Sequence, residues 1–286
     1  MEKRVLYPYG NLDVLYYYSE VAPFLKEYMK NKQIATRTWI PESNIKYFIR
    51  RGSENPPLYS KDFKVSKKLM KLRVKGKLDE VRDKLNKKEE LLWYYFVPRK
   101  YTELYYSVNG EKVGLPLERV YFDIDRKNLS ADKARVIAMN LIDEIKQDRK
   151  FNKLVKYRIV VLWTGSSFHV VLLFMKKQKK DFYDRYISGE NSFTKKWVDS
   201  INRRTKFIVN AGHEKEKNII KVDSSQSPSG KLARAPFSLY IKNFRVDGVC
   251  VPVSIKELNN KNLIKKLKKL TPEKIIKNLK YYKKLL

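Results

Sequence analysis

Hydrophobic positions along the chain change their spacing from one region to the next. Apolar residues recur at helical intervals from about residue 12 to residue 30, and a thinner apolar stripe runs through the charged segment 66–90, so both segments are predicted to be helical. In the middle third, apolar runs of strand length alternate with helical segments. The predicted strands are LLWYYFV (91–97), VYFDID (120–125), YRIVVLW (157–163), FHVVLLF (168–174), NIIKVD (218–223) and APFSLYI (235–241).

A well-specified helix lies between two of these strands. Ser130 suits an N-cap position, and one apolar face continues from there to Gln147. Strands interleaved with helices indicate an α/β or α+β sheet domain. From residue 254 to residue 286 the pattern predicts a lysine-rich helix with Leu263, Leu267 and Leu270 on one side.

Composition narrows the class of protein. The 286 residues carry a formal net charge of +32, yet 43% of them are hydrophobic, which is enough for a packed core. A single cysteine, Cys250, argues against a disulfide scaffold and against a zinc site built on two thiolates. We find neither an apolar run of the ~20 residues that a membrane span needs nor a secretory signal. We therefore expect a soluble intracellular protein of one large or two small domains that does not bind membranes.

The excess of positive charge predicts a polyanionic partner, with nucleic acid as the leading candidate. The alternative is that the protein comes from a lysine-rich proteome, such as that of a thermophile, although such proteomes add glutamate alongside lysine. Here the excess is one-sided, with 63 Lys and Arg against 31 Asp and Glu.

The segment VYFDID is the most distinctive local feature. Because side chains alternate along a strand, Asp123 and Asp125 lie on one face, with Tyr121, while Val120, Phe122 and Ile124 lie on the other. Two neighbouring carboxylates repel each other unless a cation neutralises them, and Mg²⁺ or Mn²⁺ prefers such oxygen ligands. The alternative is a strand end with two exposed acids.

A second feature is the turn TGSS between two apolar runs, which predicts a hairpin followed by His169. Backbone N–H groups, the hydroxyls of Thr164, Ser166 and Ser167, and an imidazole would suit a phosphate or triphosphate. An ordinary turn beside a packed histidine is the simpler alternative.

A third feature is the strand that ends in Asp223, followed by a polar loop, Lys231 and Arg234. A carboxylate close to Asp123 and Asp125 would complete a two-metal site of the polymerase kind. The two basic residues would neutralise phosphate charge. The simpler alternative is that Asp223 ends a strand at an ordinary turn and that Lys231 and Arg234 are surface cations.

The order of these features resembles the archaeo-eukaryotic primase superfamily. Its three motifs are an Asp-x-Asp strand, a Ser-x-His turn and a hydrophobic strand ending in Asp. They correspond here to Asp123-Ile124-Asp125, Ser167-Phe168-His169 and Val222-Asp223. The following RAPFSL, which includes Ser238, is similar to the family's Arg/Val-x-Pro-x-Ser-Leu segment. Collinear matches over most of residues 3–258 are most similar to the polymerase domain of ligase D-type end-joining proteins.

The resemblance implies an α+β fold: an RRM-like catalytic sheet flanked by helices, with an N-terminal α/β unit and a basic C-terminal helical tail. It implies a primase-polymerase catalytic domain over residues 1–253, divided at about residue 100, and a lysine-rich extension over 254–286. It also implies a stand-alone, template-directed nucleotidyltransferase with two divalent metal ions, Mn²⁺ or Mg²⁺, in the cytoplasm of an archaeon or bacterium and associated with the nucleoid. The single cysteine predicts that zinc is absent.

The resemblance also assigns roles to individual residues. Asp123, Asp125 and Asp223 would hold the two ions and catalyse nucleotidyl transfer. The nucleotide would contact Thr164, Ser166, Ser167, His169, Lys231, Arg234 and Ser238, and it is open which of the three turn hydroxyls binds the triphosphate. DNA would contact Arg4, Tyr47, Phe48, Arg50 and Arg51, although core packing is an alternative for the two aromatic residues.

The chain departs from the family pattern in several places. A single cysteine cannot form the zinc knob of replicative primases, and the segment after Arg4 is shorter than in the ligase-type domain. Its TGSS turn is shorter than the ligase-type motif and lacks that motif's lysine, and Tyr240 stands where primases commonly have histidine.

The biological role has alternatives. The leading expectation is gap filling or end joining in DNA repair, on gapped or broken primer-template ends, with a Ku-like protein and a ligase as candidate partners. A primase or primase-polymerase that starts strands de novo, for replication, a mobile element or a defence system, is the nearest alternative. A non-catalytic nucleic-acid-binding protein is the alternative from another class.

Overall fold

The computed structural model describes residues 13–40, 47–212 and 218–286. Its α-helices are α1 Val14–Leu25, α2 Lys67–Lys75, α3 Leu78–Val81, α4 Lys87–Tyr95, α5 Ala131–Gln147, α6 Arg149–Leu154, α7 Phe193–Arg204, α8 Leu263–Leu267, α9 Pro272–Lys277 and α10 Leu279–Lys283. Its strands are β1 Ile34–Trp39, β2 Phe48–Arg51, β3 Tyr101–Ser107, β4 Leu117–Asp125, β5 Tyr157–Trp163, β6 Phe168–Gln178, β7 Val209–Ala211, β8 Ile220–Asp223, β9 Leu232–Arg234, β10 Leu239–Lys242, β11 Arg245–Val249 and β12 Val251–Val253. The mixed α+β class predicted from the sequence is confirmed.

A six-stranded sheet contains four of the predicted strands. Its order is β12-β5-β6-β4-β8-β7, and the neighbours are antiparallel except for the parallel pair β7 and β8. Helices α5 and α7 supply buried apolar residues next to this sheet, and Phe122 meets Trp197 edge to face at 6.1 Å between ring centroids. The RRM-like assignment stays a prediction.

A second sheet contains the N-terminal strands. Its order is β2-β1-β3-β9, with all neighbours antiparallel. Helix α1 is tied to it by Tyr18, whose hydroxyl donates to the carbonyl of Thr102 at 2.7 Å and accepts from the backbone N–H of Leu239 at 3.0 Å. Strands β10 and β11 pair separately as a hairpin.

The predicted strand 91–97 is wrong, because residues 91–95 form the second half of α4. Asn86 begins this helix: its side chain accepts from the backbone N–H of Lys88 and Glu89, and the Glu89 carboxylate accepts from the backbone N–H of Asn86. The helix buries its apolar residues, including Leu92 and Trp93, against the core. The apolar residues of this segment are therefore buried from a helix, without pairing in a sheet.

The predicted helix over 66–90 and the predicted strand over 235–241 are each shorter than expected. The first is interrupted after α2 at Gly76 and again before Asn86. In the second, only the part from Leu239 onward is a strand, because the preceding Phe237 has φ of +64°, outside the extended region.

The C-terminal segment is helical, as predicted, but it consists of short helices rather than one. A 3₁₀ turn over Ile255–Asn259 precedes α8, and α9 begins at Pro272. The apolar side chains dock: Leu263, Leu267, Ile275, Leu279 and Tyr282 are buried in the same cluster as both sheets. The lysines at 265, 266, 268 and 269 remain exposed. None of the described helices is long and apolar enough to cross a membrane.

A buried ion pair fixes the start of α1. Asp13 caps the helix by accepting from the backbone N–H of Leu15 at 2.9 Å. Its carboxylate also accepts from Arg73 Nη2 at 2.7 Å, and the Arg73 side chain is fully buried. The guanidinium donates a further hydrogen bond to the carbonyl of Phe96. One arginine therefore joins α1, α2 and the end of α4.

Replacing Arg73 with leucine should destabilise the protein strongly, because it leaves the Asp13 carboxylate buried without its cation. We expect the free energy of unfolding in urea to fall by about 3 kcal/mol. Arg82→Ala, which removes an exposed ion pair with Glu90, is the control and should cost less than about 1 kcal/mol. Similar small losses in both variants would contradict the role given to Arg73.

Candidate active site

Strand β4 presents two different faces. Val120, Phe122 and Ile124 are fully buried on the side of α5 and α7. Asp123 and Asp125 lie on the opposite face, as alternation predicts. Their side chains retain 30% and 39% of their exposure, so both carboxylates reach the surface of the sheet.

The neighbouring strands align two more predicted residues with Asp123. In the antiparallel register, Asp123 pairs with His169 of β6 on one side and with Asp223 of β8 on the other. Directly opposed residues have Cβ atoms about 4.5–5.5 Å apart and share a face. Three segments distant in sequence therefore meet in one row across the sheet.

His169 is held between two partners. Its Nε2 lies 3.3 Å from Asp123 Oδ1, and its Nδ1 forms a hydrogen bond with the hydroxyl of Tyr121. That hydroxyl also lies 3.3 Å from the carbonyl oxygen of Arg234. With its side chain only 6% exposed, the imidazole has a fixed orientation toward Asp123.

The surroundings of Asp123 favour its charged form. Burial alone would raise the pKa of this carboxyl, but the attraction and hydrogen bond of His169, the charge of Arg234 and a hydrogen bond from Gln226 outweigh it. The pKa of Asp123 is therefore lowered from its usual value. Gln226 Nε2 donates to Asp123 Oδ2 at 3.3 Å.

The other two carboxylates differ from Asp123 and from each other. Asp125 accepts from Lys127 Nζ at 2.6 Å and from the backbone N–H of Lys127 at 3.0 Å. Asp223 accepts from the backbone N–H of Ser225 at 2.8 Å. Asp125 therefore already has a cationic partner in this structure.

The predicted hairpin turn connects β5 and β6, as expected. Thr164 Oγ1 accepts from the backbone N–H of Ser167 at 2.9 Å, and Ser167 Oγ donates to the carbonyl of Ile124. Gly165 has φ of +100°, and a Cβ there would collide with the side chain of Tyr240. Ser166 is only partly buried, and its hydroxyl makes no hydrogen bond to the described part of the chain. Of the three hydroxyls, that of Ser166 is thus available to a ligand.

Arg234 and Ser238 lie behind this row. The Arg234 guanidinium is 2.8 Å from the fully buried Glu103 carboxylate and donates to the carbonyl of Leu239 at 2.6 Å. Ser238 is buried as well, accepting from the backbone N–H of Leu104 at 2.8 Å. Lys231, in contrast, is exposed. A direct contact of these residues with nucleotide stays a prediction.

Four of the predicted DNA-binding residues lie on and beside the N-terminal sheet: Tyr47, Phe48, Arg50 and Arg51. Tyr47 is 44% exposed, its ring centroid lies 5.3 Å from that of Trp39, and the Arg37 guanidinium lies 5.4 Å from both rings. Arg50 lies over the ring of Phe48 at 5.7 Å.

The remaining two predicted DNA-binding residues are Arg51, which already has partners within the protein, and Arg4. Arg51 is paired with Glu111 at 2.7 Å and donates to the carbonyl of Gly230 at 3.1 Å. Arg4 lies outside the described residues. Sequence reasoning did not select Trp39 or Arg37, whose proximity to Tyr47 arises from tertiary packing.

The fit to divalent metal ions is partial. Asp123 and Asp223 offer carboxylates side by side, which is the donor chemistry that Mg²⁺ and Mn²⁺ prefer. Asp125 is turned to Lys127 instead. In the described ranges, no group of three or more His, Cys, Asp or Glu side chains is arranged to hold a metal ion. The two-ion site stays a prediction.

Comparisons with known proteins show a structural likeness. No protein-family model matches the chain, and no curated protein matches it. Solved structures similar to it include the polymerase domain from Mycobacterium tuberculosis ligase D in complex with DNA, with a TM-score of 0.60 and 14% sequence identity. The match covers 96% of this chain and 89% of that one. At this identity the likeness shows a shared fold.

Because the folded pKa of Asp123 is lowered, its charge should stabilise the protein above the unfolded pKa, about 3.9. That contribution should be lost as the pH falls through the folded pKa. We expect the stability difference between wild type and Asp123→Asn, measured by urea unfolding, to shrink from pH 7 to pH 3. Asp83→Asn, at an exposed position in the 3₁₀ turn Arg82–Lys84, is the control. A difference that does not change with pH would contradict this account.

Proposed function

We propose that the protein is a template-directed nucleotidyltransferase that extends a DNA primer, with gap filling or end joining in DNA repair as its role. The observation that carries the proposal is the row Asp223, Asp123 and His169 on three adjacent strands. The row lies in a fold shared with a polymerase domain whose structure contains DNA.

In this proposal, the carboxylates of Asp123 and Asp223 would hold a divalent cation. The ion would activate a primer 3′-hydroxyl and neutralise phosphate charge. The protein's own contribution is to keep Asp123 ionised and correctly oriented through His169 and Gln226. Tyr121 in turn positions His169.

The incoming nucleotide would bind beside this row. Ser166 and Lys231 are the predicted nucleotide-binding residues whose side chains have no partner in the described part of the chain. A hydroxyl and an ammonium suit triphosphate oxygens. His169, Arg234 and the buried hydroxyls of Thr164, Ser167 and Ser238 would support the site from within.

DNA would bind through positive charge and exposed aromatic rings. The net charge of +32 suits a phosphate backbone, and Tyr47 with Trp39 and Arg37 presents rings on which an unpaired base could stack. Phe48, Arg50 and Arg51 lie on the same strand, β2. A Ku-like protein and a ligase remain predicted partners.

Primer extension on a gapped template with Mn²⁺ or Mg²⁺ tests the proposal. Asp123→Ala and Asp223→Ala should each lower the rate at least about 100-fold, with circular dichroism verifying the fold. Asp83→Ala, at an exposed position in the 3₁₀ turn Arg82–Lys84, is the matched control and should retain activity. Full activity in either site variant would refute the assignment.

The same assay separates the alternatives. Dinucleotide synthesis on single-stranded template without primer would indicate a primase rather than a gap-filling enzyme. An inactive wild type that binds DNA with a steep salt dependence would indicate a non-catalytic binding protein.

A further inference from the structure

A buried lysine lies on the same strand as Asp223. Lys221 of β8 is only 1% exposed, and its Nζ has no hydrogen-bond partner in the described part of the chain. No described carboxylate lies within 4 Å of this nitrogen. A buried ammonium without a partner is unfavourable, and a carboxylate close by would stabilise it.

The strand register shows which acids share its surroundings. Ile220 and Val222 are fully buried on the helix side of the sheet, so Lys221 and Asp223 lie on the opposite face. Lys221 is directly opposite Asp125 in the pairing of β4 with β8, just as Asp223 is opposite Asp123. Lys221 therefore lies on the same face of the sheet as Asp123, Asp125 and Asp223.

Two lysines consequently flank Asp125. Lys127 forms an ion pair with it from the surface at 2.6 Å, and Lys221 lies opposite it inside the protein. Asp123 and Asp223 form no described ion pair with a lysine or arginine: Asp123 contacts His169 and Gln226, and Asp223 accepts a backbone N–H. The three carboxylates thus differ: Asp123 and Asp223 form no described ion pair with lysine or arginine, whereas Asp125 is neutralised by Lys127.

We propose that the free protein binds a single divalent cation tightly, at Asp123 and Asp223, and that Lys127 and Lys221 supply the positive charge at Asp125. Lys127 opposes the binding of a cation at Asp125 by occupying a carboxylate oxygen, and Lys221, from the opposite strand position, opposes it by Coulomb repulsion. Lys221 is therefore a positioning residue: it would influence where the cation binds through its charge beside Asp125. The inference rests on the proposed function, since it assigns the cations of that same site.

The test is a titration of the full chain with Mn²⁺, followed by the electron paramagnetic resonance signal of the free ion, without nucleotide or DNA. Wild type should bind one ion tightly. Asp125→Asn should keep that ion, whereas Asp123→Asn and Asp223→Asn should each abolish it.

Removing the lysine charges should create a second site. Lys127→Met and Lys221→Met, singly and together, should tighten binding of a second Mn²⁺ by about tenfold or more. Lys176→Met, at an exposed position on β6, is the matched control and should leave the titration unchanged. Because Lys127 is on the surface, its variant provides a test even where the Lys221 variant fails to fold.

Two results would overturn the inference and leave the proposed function intact: two equally tight ions in wild type, or loss of the tight ion in Asp125→Asn. Failure of Lys127→Met to affect a second ion would also overturn it. Absence of tight Mn²⁺ binding in wild type would instead count against the proposed ion site itself, and primer extension would then decide the function.

Discussion

The pairing of β4 between β6 and β8 is the constraint on which the candidate site depends. The register places Asp123 opposite both His169 and Asp223. A shift of one residue would turn every side chain of β4 to the other face, replacing Asp123 with Phe122 and burying a carboxylate beneath α5 and α7. The buried residues Val120, Phe122 and Ile124 oppose that shift, because each would lose its place in the core. Packing on one face therefore fixes the chemistry on the other.

A second buried network connects this sheet to the N-terminal one. Glu103 on β3 pairs with Arg234 of β9 and with Arg37 of β1. Burial alone would raise the pKa of Glu103, but the two arginines outweigh it and lower the pKa. The carbonyl of Arg234 also lies beside the Tyr121 hydroxyl that orients His169. The aromatic surface around Tyr47 and the acidic row are thus joined by a few charged groups.

Much of the fold and part of the site could be predicted from the sequence. Alternating apolar and acidic residues indicated the faces of β4, and the cap at Ser130 indicated the start of α5. The strand predicted over 91–97 was wrong, since a short apolar run does not distinguish a strand from a buried helix. The environments of Arg234, Lys127 and Lys221 could not be predicted, because they depend on strand register and on which surfaces the tertiary fold covers. Composition indicated a basic protein but did not show that a lysine lies buried opposite Asp125.

The most direct test of the proposed site is a crystal structure of the protein with Mn²⁺ and a non-hydrolysable nucleoside triphosphate analogue. The anomalous scattering of Mn²⁺ would locate the ion. We predict an anomalous peak at bonding distance from the carboxylates of both Asp123 and Asp223, with the triphosphate beside Ser166 and Lys231. A peak elsewhere, or a nucleotide bound away from this row, would contradict the account.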